Sequence, residues 1–213
     1  MHSIPTKEEI LLALEERHGK ELQSKFSNAS VSICGLGGLG SNIAIALARA
    51  GVGNLYLIDF DRVELSNLNR QQYFASQLGM YKTDALKENL LQIIPYVNVI
   101  SHTVRITESN TKELLKGTDI ICEAFDCAEE KAMLVNCVLE NLPDKYLVSG
   151  SGMAGMSSAN SIKTRRVAKH FYLCGDETSD VSDGIGLVSS RVMVCAAHQA
   201  HMVLRIIAEE FEV

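Results

Sequence analysis

Asp59, Arg70, Lys82 and Asp126 are four ionisable residues that follow a glycine-rich turn, Gly35-Leu36-Gly37-Gly38-Leu39-Gly40. Gly35, Gly37 and Gly40 fit a G-x-G-x-x-G pattern, whose exposed backbone amides can hold phosphate at the start of a helix. Asp59 ends the apolar run Leu55-Tyr56-Leu57-Ile58, nineteen residues beyond Gly40, where an acid can accept ribose hydroxyls. Arg70 and Lys82 add two cations, and Asn67 and Gln71 add amide donors. Binding a dinucleotide requires no such pair; two cations directed at one phosphate chain suggest phosphates that react. Asp126 lies just past the apolar run Asp119 to Ala124 and can hold a magnesium ion against the phosphates, because Mg²⁺ takes one or two carboxylates plus phosphate oxygens. Taken singly, each residue has a plainer role open to it. Asp59 can cap a turn, Asp126 can cap the helix that follows, and Arg70 or Lys82 can be a solvated surface cation.

These residues need elements that bring them to one edge. Val31 to Cys34 is expected as a first buried strand, Leu39 to Ala50 as a helix closed by Gly51, and Asn54 to Asp59 as a second strand. The pattern continues with a helix from Thr83 to Ile94 stopped by Pro95, a strand from Val97 to Val104, and a helix from Thr107 to Lys116 with Asn110 and Glu113 as a cap pair. A strand from Asp119 to Ala124 and a helix from Ala128 to Leu142 follow. Alternating strands and helices predict an α/β, Rossmann-like fold with a mainly parallel sheet. Ligands then bind outside the carboxyl ends of the strands, the edge where Gly35, Asp59 and Asp126 fall.

In front stands a helical arm, 1–28, with helix from Lys7 to Phe26 broken at Gly19 and a capping pattern Thr6-Lys7-Glu8-Glu9. Residues 29–142 form the nucleotide-binding half. Residues 143–213 are expected to hold a mixed or antiparallel extension, with strands from Lys145 to Gly150 and Ser158 to Arg165 and a closing helix within Ile185 to Glu210. The segment 174–186 is polar and acidic and reads as a mobile loop near the site.

Composition narrows the partners. With 213 residues, three prolines and no Gly/Ser-rich divider, one domain is expected. A net charge of −6 disfavours a broad nucleic-acid or membrane surface. The six cysteines show no zinc-knuckle spacing, and with no signal peptide or long apolar stretch a cytoplasmic protein with reduced thiols is expected. Cys195, His198 and His201 share a helix at spacings suited to metal, but among Ala and Val they read as a packing face.

The segments Gly-Leu-Gly-Gly-Leu-Gly-Ser, Leu-Ile-Asp-Phe-Asp, Ser-Asn-Leu-Asn-Arg-Gln and Gly79-Met80-Tyr81-Lys82 together resemble the ThiF/MoeB branch of the ubiquitin-activating enzyme superfamily. Gly152-Met153-Ala154-Gly155, Ile162-Lys163-Thr164-Arg165 and Phe171-Tyr172-Leu173-Cys174-Gly175-Asp176 resemble its shorter, zinc-free ThiF subgroup, associated with thiamine biosynthesis. The resemblance implies an ATP-dependent adenylyltransferase that activates the Gly-Gly carboxylate of a ubiquitin-like sulfur carrier, ThiS, as an acyl-adenylate with release of pyrophosphate. It implies cofactor binding by Gly35, Gly37, Gly38, Gly40, Asp59, Asp61, Asn67, Arg70, Gln71 and Lys82. Arg70, Lys82 and Asp126 become the catalytic residues, with Asp126 the ligand of Mg²⁺ and no zinc expected. It further implies a homodimer in which Arg17 is the candidate to enter the partner's site.

The chemistry suits these residues. A terminal carboxylate, with a pKa of ~3.5, is ionised at neutral pH and attacks the α-phosphate without a general base. The step needs charge neutralisation and orientation instead. Two features set this chain apart from relatives: it lacks their paired C-x-x-C sequences, and it has no cysteine between Gly175 and Met193, which leaves Cys174 as the nearby thiol. Three other functions remain open: a tRNA-modifying enzyme of the same superfamily, motivated by the basic run Lys163, Arg165, Arg166, Lys169 and His170; an NAD-dependent dehydrogenase; and a non-catalytic nucleotide sensor.

Overall fold

A computed structural model describes residues 4–213. Seven strands form one sheet: β1 (Ser30–Cys34), β2 (Asn54–Asp59), β3 (Asn98–Thr103), β4 (Ile120–Glu123), β5 (Tyr146–Gly150), β6 (Lys163–Ala168) and β7 (Phe171–Gly175). Their order is β3-β2-β1-β4-β5-β7-β6, parallel throughout except for the antiparallel β7-β6 edge. The α/β class, the parallel sheet and the antiparallel C-terminal extension are therefore as expected.

Register decides where the site lies. Cys34 at the end of β1 pairs with Ile58 of β2 on one side and Glu123 of β4 on the other, so the strands finish together. The chain leaves β1 first toward β2 and β3 and later toward β4 and β5. The point where it reverses opens a crevice between the ends of β1 and β4.

Helices cover both faces: α1 (Lys7–His18), α2 (Lys20–Asn28), α3 (Gly38–Arg49), α4 (Lys82–Ile93), α5 (Glu108–Leu115), α6 (Ala128–Asn141) and α7 (Ser189–Ile207). On one face Ile43 and Leu47 of α3, Leu86 and Leu90 of α4 and Val203 of α7 pack over Ile33 and Leu57. On the other, Leu115 of α5 and Leu134 and Val138 of α6 pack over Ile58 and Ile121. Thr6 caps α1 in a reciprocal box with Glu9, and Gly19, at φ +82°, divides the arm as expected.

Local chemistry moved several boundaries. The cap of α5 is Thr107, whose own amide donates to Asn110 Oδ1 at 2.8 Å, so Asn110 pairs backward with Thr107 and not with Glu113. The strand expected from Ser158 begins only at Lys163, because Ser158 folds back on the amide of Asn160 and starts a short 3₁₀ turn at Ala159–Ser161. The segment 174–186 is a loop only in part: Cys174 and Gly175 complete β7, and Val181–Asp183 forms a single 3₁₀ turn under Asp180. No helix among the described residues is long and apolar enough to cross a membrane.

A candidate nucleotide cleft at the carboxyl edge

A cleft of about 500 Å³ opens at the reversal point. Gly35, Gly37, Gly38, Asp59, Asp61, Arg70, Gln71, Lys82 and Asp126 all line it. Two expected residues, Gly40 and Asn67, do not line it. Gly40 is buried, and a Cβ there would lie 1.8 Å from the carbonyl oxygen of Gly35, so this glycine lets α3 start close against the turn. The side-chain oxygen of Asn67 accepts the amide of Glu64 at 3.1 Å, which shapes the segment leading to Arg70.

The turn is held from both sides. Leu36 donates its amide to Asp59 Oδ2 at 2.6 Å and accepts the Tyr73 hydroxyl on its carbonyl at 2.7 Å. Gly35 adopts φ +89° and passes so near Ala124 that a Cβ would meet its carbonyl oxygen at 2.8 Å. Gly37 differs: only Gln71 Nε2, at 3.7 Å, lies within 4 Å of where its Cβ would be. Protein atoms leave that direction open.

Asp59 is 9% exposed, and burial raises the pKa of its carboxyl group, opposed by the Lys82 charge and by the amides of Asp61 and Leu36. The amide of Asp61 reaches Asp59 Oδ1 at 2.7 Å. Asp59 thus does cap the turn, and each oxygen retains lone-pair capacity for another donor. Lys82, 6% exposed, is the first residue of α4, where its charge opposes the helix dipole, and its ammonium lies 2.8 Å from Asp61 Oδ2.

Arg70 donates to the Ser66 carbonyl and to Asn69 Oδ1, while its buried Nε has no protein partner among the described residues. The buried Oε1 of Gln71 is likewise without one. Both side chains line the cleft, so two orphaned polar atoms sit beside it, and a bound group with both donors and acceptors would satisfy them. Asp126 is exposed and does not cap α6, whose N-cap is Cys127.

Charged residues outside the sequence motifs also shape the cleft. Glu123, the last residue of β4, is fully buried. It receives Lys131 Nζ at 2.5 Å, the Ser149 hydroxyl and the amide of Phe125 at 2.7 Å. An acid closing the otherwise apolar run Ile120-Ile121-Cys122 was the available signal. Behind the lining residues Ala154 and Ser179, Arg191 of α7 forms a buried ion pair with Asp176 and donates to the carbonyls of Ala154, Ser157 and Ser158. Burial alone would raise the Asp176 pKa, but the amides of Ser179 and Thr178, the Ser179 hydroxyl and Arg191 together hold it at about 2.

The thiols read otherwise. Cys174 is buried and its pKa is pushed up to about 11 by desolvation, which suits a packing residue better than a nucleophile. Cys195 donates to the Cys174 carbonyl, and His198 Nδ1 lies 2.9 Å from the Thr164 hydroxyl, so those two belong to the α7 packing face. Arg17 is exposed in the last turn of α1.

Comparison with known proteins places this architecture. The ThiF family model matches residues 11–213. An adenylyltransferase and sulfurtransferase MOCS3 of Caenorhabditis briggsae is 37% identical over 142 residues, covering 66% of this chain and 35% of that protein. An adenylyltransferase and sulfurtransferase UBA4 of Eremothecium gossypii is 36% identical over 158 residues, 68% of this chain and 35% of that one. The chain thus spans about a third of the length of these relatives. Among solved structures, the E. coli tRNA N6-threonylcarbamoyladenosine dehydratase TcdA, in complex with ATP, superposes with a TM-score of 0.86 over 98% of both chains at 21% identity. E. coli MccB with ATP gives 0.68 over 89% of this chain and 59% of that one at 23% identity, a likeness of fold. The glycine turn, the acid at the end of β2 and the family match over nearly the whole length agree: the chain belongs to the ThiF family of the ubiquitin-activating enzyme superfamily.

Proposed function

We propose that this chain is an ATP-dependent adenylyltransferase whose acceptor is the C-terminal Gly-Gly carboxylate of a ubiquitin-like sulfur carrier, ThiS in the thiamine pathway. The observation that carries the reading is the convergence of Arg70, Gln71, Lys82 and Asp126 on one cleft beside the glycine turn, with buried polar atoms of Arg70 and Gln71 unpartnered. In this reading the phosphates lie along the turn from Gly35 to Gly38, Asp59 accepts the ribose, and Arg70 and Lys82 offset the charge that builds on the α-phosphate. Asp126 would hold Mg²⁺, which supplies further charge neutralisation at the phosphates. No histidine lines the cleft among the described residues, in keeping with an acceptor that arrives already ionised.

Supporting the reading further, relatives at 36–37% identity are named adenylyltransferases. A tRNA substrate is the second reading, favoured by the full-length fold match to a tRNA-modifying dehydratase. The basic run gives it less support than its sequence promised. Arg165 is held by Glu177 through two bonds, and Arg166 donates to the Lys169 carbonyl. ATP–pyrophosphate exchange separates the two: exchange that requires a small protein ending in Gly-Gly supports the first, and exchange that instead requires tRNA supports the second.

A further inference from the structure

Beyond the phosphate cations, the cleft contains a buried charged pair that the adenylation reading leaves without a task. Glu123 is fully buried at the end of β4, and Lys131, one turn into α6, is a quarter exposed and lines the cleft. The glutamate's oxygens are occupied: Oε1 takes the Phe125 amide, and Oε2 takes Lys131 and Ser149. Its carbonyl accepts Gln199 Nε2 from α7 at 3.0 Å. Four parts of the fold therefore meet at one carboxylate residue: β4, β5, α6 and α7.

A buried ion pair is a poor device for stability, since apolar residues of similar volume would serve as well or better. What it does provide is fixed geometry. Lys131 has three N–H donors, of which one goes to Glu123, and its ammonium cannot retreat from the cleft without leaving a buried charge unpaired. The other cations of the cleft have tasks elsewhere in it: Lys82 and Arg70 border the glycine turn, and Arg105 lies over the Phe60 ring. Lys131 instead lines the cleft with the first turn of α6, with Gly150 at the end of β5, and with Ser151 and Gly152 that follow it.

We propose that Lys131, positioned by Glu123, receives the carboxylate of the acyl acceptor and makes the site require a free carboxyl terminus. This deepens the adenylation reading and rests on it. Glu123 does not touch the acceptor; it is a positioning residue that keeps one face of the ammonium turned away from the cleft's open side. Glu123 takes one of the three ammonium N–H donors, so the other two are left to bind an incoming carboxylate, which replaces water there.

The test uses the full chain loaded with a non-hydrolysable ATP analogue and two synthetic peptides ending in Gly-Gly, one with a free carboxylate and one amidated. Calorimetry should show the wild type preferring the carboxylate by about tenfold or more, the range of a charge-assisted hydrogen bond. Lys131→Met should abolish that preference without changing the affinity for the ATP analogue, and Lys131→Arg should restore part of it. Should Lys131→Met unfold because Glu123 is left unpaired, the double variant Glu123→Gln/Lys131→Gln removes both charges, keeps hydrogen-bonding groups, and should show the same loss. A wild-type preference that survives in the variants overturns the role of Lys131 and leaves adenylation standing. No preference in the wild type, combined with no peptide-dependent pyrophosphate exchange, overturns the adenylation reading and this inference together.

Discussion

Lys82 starts a helix with its charge facing the wrong end of the dipole and is almost fully buried, a local arrangement that propensity alone would not select. Asp61 at 2.8 Å compensates it in part, and a triphosphate would do so further. On the adenylation account, Lys82→Ala and Asp126→Asn each lower carrier-dependent exchange by about a hundredfold, the effect of losing ~3 kcal/mol of transition-state stabilisation. Stopped or quenched exchange assays check this, with circular dichroism confirming the fold. Asp59 differs, because ribose contacts change little between ground and transition states. Asp59→Asn, which keeps an acceptor for one of the two turn amides, should raise the dissociation constant for ATP in calorimetry while leaving kcat nearly unchanged. Cys174→Ala should keep full adenylation activity, as a buried thiol with a pKa of about 11 predicts. Most of these side chains were legible in the sequence because their motif spacing is tied to a turn and a strand end. Tyr73, Glu123 and Lys131 were not, since nothing in the spacing says that a hydroxyl from 37 residues away supports Leu36 or that two charges will meet inside the sheet edge.

The acidic loop after β7 is anchored at one end. Asp176 accepts Thr178, Ser179 and Arg191, while Ser179, Asp180 and Val181 reach the cleft wall. On the adenylation account we propose that this loop, fixed at its base and lying along the cleft, shields the acyl-adenylate, a mixed anhydride that hydrolyses when water reaches it. Shortening the loop beyond Ser179 should leave ATP binding intact and raise carrier-dependent release of AMP; unchanged AMP release and carrier affinity would make it a connector only. The anchor itself has a pH signature. A carboxylate whose folded pKa is about 2 binds its proton more weakly than in the unfolded chain, so it stabilises the fold above pH ~4 and that contribution, on the order of 2 kcal/mol, disappears as pH falls toward 2. Asp176→Asn should flatten that part of the acid-unfolding curve, measured by fluorescence or circular dichroism. Glycine and acid content mark this loop in the sequence but its anchor is not visible there, because the Asp176–Arg191 contact joins segments 15 residues apart through a turn that only the packing of α7 defines.

At the scale of the molecule, the strand and helix order in the first two-thirds of the chain followed from the alternation of short apolar runs with amphipathic stretches and glycine stops. That alternation forces parallel crossovers, and the crossovers place the motif ends on one edge. The C-terminal third was less legible. β6 pairs antiparallel to β7 across a bulge between Arg166 and Ala168 and is exposed along most of its length, so it shows no buried-strand pattern to read. We also propose a homodimer, in keeping with the high apolar content of 46%; light scattering at micromolar concentration should give a dimer mass. The central claim is that the cleft transfers AMP to a carboxylate, and ATP labelled at the α-phosphate tests it most directly. With the full chain and a small carrier ending in Gly-Gly, the label should appear on the carrier, be released as AMP by hydroxylamine, and be absent when the terminal glycine is removed. Label that never reaches the carrier, or that reaches the truncated one equally well, would contradict the account.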